Sequence, residues 1–262
     1  MQYQYSAKSN FEHLASGRVL LQKPGLANFP IRLAQEIYGR CVSHLHQKSG
    51  LRFYDPCGGG GYLAAILGFL NPSLGTIVCS DCDAEALDIA RQNLSLLTTE
   101  GLTNRMEELQ RLYARFHKES HRRAVASARK LLETVTQREH EPDVIVFQAD
   151  ILRPASLPRR FQANVVMTDV PYGSLTSWQG GDGNAIGRLL DHLLPILAQD
   201  AVVAICADKK QKITSDTYIR LEKQLIGKRK FEILKPHTES LTPATSPSRE
   251  SSLTPPVRSS HP

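Results

Sequence analysis

Residues 55–62 read Asp-Pro-Cys-Gly-Gly-Gly-Gly-Tyr and separate a short apolar run, Leu51 to Tyr54, from a longer one, Leu63 to Leu70. Glycines at such a junction place a tight turn between a strand and a helix. Lacking a Cβ, the backbone at Gly59 and Gly61 can pass close to a ligand that a side chain would push away. The spacing matters as much as the glycines. A pyrophosphate-binding loop reads Gly-x-Gly-x-x-Gly and aims a helix N-terminus at its anion, with no acid at its head. Here Asp55 heads the turn, and its carboxylate would repel pyrophosphate but suits a cationic ligand. A purely structural turn could use the same residues, so the rest of the chain has to decide.

The next acid at a strand end is Asp81, which closes the run Thr76 to Ser80 and lies 26 residues past Asp55. Nucleotide-binding α/β units place a carboxylate near that distance to accept the ribose hydroxyls, which makes Asp81 the expected ribose ligand. Asp83 is better read as the cap of a helix carrying Ala86, Leu87, Ala90 and Leu94 on one face. Val144 to Gln148 form a continuous apolar-rich run, the pattern of a strand buried on both faces. Asp150 just beyond it can accept a hydrogen bond from an adenine amino group or cap the following segment. Ala163 to Thr168 form another buried strand, which delivers Asp169-Val-Pro-Tyr-Gly173 to the sheet edge where open parallel sheets hold ligands. Asp169 and the Val170 carbonyl can accept hydrogen bonds from an amino group, Pro171 stiffens the turn, and Tyr172 offers a stacking face.

Strands alternating with helices predict an α/β fold, a Rossmann-like doubly wound and mostly parallel sheet. An N-terminal helical extension (1–50), with one helix from about Pro30 to His46, precedes the main domain (51–236). A helical insertion over about 103–140 carries nine Lys/Arg against five acids, and its Arg122 and Arg123 are candidates to grip an RNA backbone. Residues 215–235 read either as a hairpin around Gly227 or as a helix followed by a strand. The Ser/Thr/Pro-rich stretch 237–262 is expected to be a disordered tail.

Composition removes several function classes. At 262 residues the chain suits one α/β domain with additions, and no apolar run approaches the roughly 20 residues that span a bilayer. No membrane role is expected. The start, Met1 to Lys8, has no secretory apolar region, and five scattered cysteines argue for a reducing, cytoplasmic setting rather than a disulfide framework. Cys79 and Cys82 have the spacing of a zinc pair, but no second pair completes four ligands; both read as strand-end packing residues, with no metal. The net charge of +6 fits a polyanionic partner.

These residues resemble the class I S-adenosylmethionine (SAM)-dependent methyltransferases, and more closely the AviRa-like 23S rRNA (guanine) methyltransferases. The resemblance covers about residues 12–235. It rests on Gly17 to Leu20, Phe29 to Ala34, Asp55 to Cys57 with Gly61 to Leu63, Ser80-Asp81 with Asp83, and Thr168 to Gly173 followed by Thr176 and Trp178. It implies a monomeric enzyme that transfers a methyl group from SAM to a guanine of 23S rRNA, naked or in the large ribosomal subunit, and a role in resistance to an orthosomycin such as avilamycin. The implied cofactor residues are Asp55, Cys57, Gly58, Gly59, Gly61, Asp81 and Asp150. Asp169, Pro171 and Tyr172 would be catalytic, with Val170, Trp178, Arg122 and Arg123 toward the RNA. Either Tyr172 or Trp178 would stack on a target base swung out of its helix. Val170 departs from the wider amino-methylating pattern, which usually has a second proline there.

An acid-x-Pro-Tyr turn serves any planar nitrogen, so DNA adenine or a protein amide are alternative acceptors. A non-catalytic RNA-binding module that kept its pocket is the alternative of another class; the retained Asp169 and glycine turn weigh against it.

Overall fold

The computed structural model describes residues 1–22, 28–153, 157, 161–170 and 184–237. Seven strands form one sheet: β1 (Leu51–Asp55), β2 (Leu74–Asp81), β3 (Asp143–Gln148), β4 (Ala163–Asp169), β5 (Leu197–Asp208), β6 (Tyr218–Ile226) and β7 (Arg229–Pro236). Their order is β3-β2-β1-β4-β5-β7-β6, with β1 to β5 parallel and β7 antiparallel to both of its neighbours. The chain builds outward from β1 to β3, then returns to lay β4 on the other side of β1. That reversal creates a crevice outside the carboxyl ends of β1 and β4, where open α/β sheets bind ligands. Asp55 and Asp169 are the last residues of those two strands.

Strand alternation sorts the core into two layers. Phe53 and Ile77 point to one side, where they join Ile37 of α1 (Ile31–Ser43), Leu67 of α2 (Tyr62–Leu70), and Leu87 and Leu94 of α3 (Ala84–Ser95). Tyr54 and Val78 point to the other side and meet Leu189 and Leu190 of α6 (Ala185–Leu193). Almost all of α2 is buried, as its unbroken apolar sequence requires. Among the described residues no helix is long and apolar enough to cross a membrane.

Several expectations change once the fold is seen. The 144–148 run is not buried on both faces: β3 is an edge strand, and Ile145 is 41% exposed. An apolar run alone cannot report which strands acquire a neighbour on each side. The insertion is two helices, α4 (Thr99–Phe116) and α5 (Glu119–Thr136), packed on each other and broken at His117, whose φ of 50° ends α4. Leu102, Leu109, Ala124, Leu131 and Val135 bury its apolar stripe. The 215–235 segment resolves as the hairpin β6–β7, turning at Gly227 with φ 59°. In the N-terminal extension the helix 31–43 forms, preceded by Pro30, while Glu12–Leu14 makes only a single 3-10 turn. The expected tail lies outside the described residues, apart from His237.

Candidate active site

The glycine turn is held from below by β2. The Gly58 N–H donates to the Ser80 carbonyl at 2.9 Å, and the Gly59 N–H donates to Asp81 Oδ2 at 2.8 Å. The other Asp81 oxygen accepts the Asp83 N–H at 2.9 Å, so one carboxylate ties the turn to the start of α3. A Cβ on Gly58 would lie 2.3 Å from the Cys79 sulfur, so any larger residue there requires the Cys79 side chain to move. Gly61 adopts φ 70°, and its missing Cβ makes room for Ala90 of α3 at 3.0 Å, so backbone conformation and helix packing by themselves already call for glycine there. Asp83 caps α3 through the N–H groups of Glu85 and Ala86, as expected. Cys79 is buried packing, whereas Cys82 is exposed.

Asp55 is 2% exposed and its carboxylate accepts the Cys57 N–H at 3.3 Å. Burial pushes its pKa up to about 7; the nearby Thr168 hydroxyl and the Cys57 N–H partly oppose this, and the Asp81 and Asp169 charges add to it. A cation at this edge would relieve that strain, which suits a sulfonium or ammonium group. Burial, with the Asp55 and Asp81 charges added, pushes the Cys57 and Cys79 thiols well above their ordinary range, so neither is a nucleophile near neutral pH. Asp150 directs one oxygen to the Leu152 N–H at 2.9 Å and the other to Arg153 at 3.3 Å, the capping geometry its position also allowed.

At the β4 end, the Val170 N–H donates to the Cys206 carbonyl at 2.9 Å. Asp169 is not alone: Arg229 Nη1 lies 3.4 Å from its Oδ2. The Arg229 guanidinium in turn sits 5.6 Å from the Phe29 ring centroid. Pro171, Tyr172 and Trp178 lie outside the described residues. Asp55, Cys57, Gly58, Gly59 and Asp81 gather at the carboxyl ends of β1 and β2, beside Asp169. Arg122 and Arg123 belong to α5, are 62% and 61% exposed, and both pair with Glu119.

Two residues at this edge escaped the sequence reading. Asn93 of α3 donates to the Gly60 carbonyl at 2.8 Å and exchanges two hydrogen bonds with the Leu21 backbone, holding the turn and the N-terminal segment together. A polar residue on the apolar stripe of α3 was the signal that could have found it. Arg229 carried none, because only antiparallel pairing of β7 on β5 brings it to the edge, opposite Asp208.

A carboxylate-lined crevice at the reversal of a parallel sheet suits a nucleoside-bearing cation, and known proteins narrow the reading further. Residues 1–229 match the family described as rRNA methyltransferase AviRa. A 23S rRNA (guanine(2535)-N(1))-methyltransferase of Streptomyces viridochromogenes is 37% identical over 221 residues, covering 82% of this chain and 88% of the relative. Two solved structures of the rRNA methyltransferase AviRa from the same organism superpose with TM-scores of 0.81 and 0.80 at 34% identity, each covering 90% of this chain and 96% of the other. Fold and sequence agree with the resemblance read from the motifs, and the chain belongs to the AviRa family of rRNA methyltransferases.

Proposed function

We propose that this enzyme transfers a methyl group from SAM to N1 of a guanine in 23S rRNA. One observation carries the acceptor: the relative at 37% identity is named for that reaction. The donor is supported by chemistry in this chain. Asp55, buried and held near neutrality at the head of the glycine turn, is suited to a cationic methionine moiety. Asp81, although it already holds two N–H groups, keeps lone pairs for the ribose hydroxyls. The residues fit the group: the turn is a fixed, close-packed ledge beside both carboxylates. When bound, SAM would supply an electrophilic methyl on a positive sulfur.

The chain's own residues then position and desolvate. Asp169 orients the acceptor nitrogen, with the Val170 carbonyl as a second acceptor, and Tyr172 or Trp178 stacks on the extruded base. Pro171 is assigned to the acceptor side with them, and Cys57 and Asp150 border the cofactor. Arg122 and Arg123 on the helical hairpin grip the RNA backbone.

Incubation with tritiated SAM and separated ribosomal RNAs, naked and assembled, followed by nucleoside mass analysis, tests the whole reading. Label in 23S rRNA as 1-methylguanosine is the expected result. Label only in another RNA, or in another nucleoside, overturns it.

A further inference from the structure

The acceptor end of the site holds a donor and an acceptor fixed side by side. Arg229 Nη1 and Asp169 Oδ2 are 3.4 Å apart, and both side chains are about a quarter exposed, at 27% and 22%. Two elements immobilise the arginine: the start of β7, in register with Asp208 of β5, and the Phe29 ring, over which its guanidinium lies at 5.6 Å. A guanidinium cannot give up its proton near neutral pH and has several N–H groups in one plane. One of its nitrogens lies beside Asp169, and the planar fork fixes the directions of the others relative to it.

This polarity matches one base edge. The Watson–Crick edge of guanine presents the O6 acceptor beside the N1–H and N2–H donors, whereas adenine presents a donor at N6 and an acceptor at N1. Resting on the proposed guanine N1 chemistry, we infer that Asp169 and Arg229 together read the guanine edge, Asp169 taking the N1 proton and Arg229 stabilising the charge that develops on O6. In the transfer, the N1–H bond breaks and its proton passes to the Asp169 carboxylate. The N1 electron pair forms the bond to the methyl carbon, and the methyl–sulfur bond breaks with its electrons kept by sulfur. Products are N1-methylguanine, neutral S-adenosylhomocysteine and a protonated Asp169, which returns its proton to solvent. A preformed donor at a developing oxyanion is a large contributor to rates of this kind.

Single-turnover methyl transfer to 23S rRNA, followed from pH 6 to 9 for wild type, Arg229→Gln and Arg229→Lys, tests the inference. The titratable groups about the pair are Asp55 on β1 and Cys206 and Asp208 on β5; Asp55 and Asp208 are common to all three proteins, and Cys206, which burial raises well above its ordinary range while the Arg229 charge only partly opposes this, stays a neutral thiol here with or without that charge. Arg229→Gln should slow transfer about a hundredfold or more at pH 7. That deficit should narrow as pH rises, because hydroxide then helps remove the N1 proton. Arg229→Lys, which keeps the charge but not the planar fork, should recover part of the rate. SAM affinity by calorimetry should remain within a few-fold and shows that each variant is folded; if Arg229→Gln does not fold, the Arg229→Lys ratio is read in its place. A deficit independent of pH would make Arg229 a plain tie between β7 and β4 and overturn the inference. Wild-type product other than 1-methylguanosine would instead overturn the reading beneath it.

Discussion

Asp81 accepts the backbone N–H of Gly59 at 2.8 Å, so the carboxylate at the end of β2 fixes the turn that follows β1. With Asp81 proposed as the ribose ligand, loop shape and cofactor binding share one side chain. Asp81→Ala should weaken SAM binding strongly by removing both. Asp81→Asn, which keeps one oxygen to accept the Gly59 N–H, should retain the turn yet lose the charged acceptor for ribose. Calorimetric titration of SAM against wild type and both variants checks this; equal affinity in all three would remove Asp81 from the cofactor site.

Asp55 makes stability fall as pH rises. Its folded pKa is raised from 3.8 to about 7. Between those values the unfolded chain has released the proton while the folded chain still binds it, so the folded state is favoured at low pH and that advantage is lost as pH climbs through about 7. Asp55→Asn should remove this contribution, gaining up to about 4 kcal/mol on wild type between pH 4 and 8. Urea unfolding of the ligand-free proteins across that range measures it. SAM binding near pH 6.5 should also release protons in wild type only, seen as a dependence of binding heat on the buffer.

Asp169→Ala should abolish methyl transfer while leaving SAM affinity within a few-fold, because its proposed partner is the acceptor base. Removal of an orienting group costs about a hundredfold in rate or more. Single-turnover rates near wild type would remove Asp169 from the chemistry.

Gly58→Ala puts a methyl 2.3 Å from the Cys79 sulfur, inside any tolerable approach. Overpacking of this kind costs about 1–3 kcal/mol. Adding Cys79→Ala should restore much of that stability, so the two changes should be non-additive in thermal unfolding. Additive effects would mean that the clash is relieved elsewhere.

Replacing Arg122 and Arg123 with alanine should leave stability nearly unchanged, since pairs to Glu119 this exposed contribute little. RNA affinity should fall, and the slope of log K against log salt should flatten by about one unit for each phosphate no longer gripped. Parallel lines with equal intercepts would confine the hairpin to covering the site.

Local sequence was sufficient for much of this protein. The apolar runs at 51–54, 76–80 and 163–168 became strands, the glycine turn took its place before α2, and Asp83 capped α3, because each depends on a residue and its near neighbours. The order of motifs pointed to the family for the same reason. Tertiary structure decided what depends on distant chain. β3 became an edge strand because no further strand was laid beside it, which its own residues do not encode. Gly61 answers to Ala90, and Gly58 to Cys79, neighbours set by how α3 and β2 pack on the turn. Arg229 reaches Asp169 across 60 residues of sequence only because β7 pairs antiparallel to β5 and carries its first side chain to the edge where β4 ends.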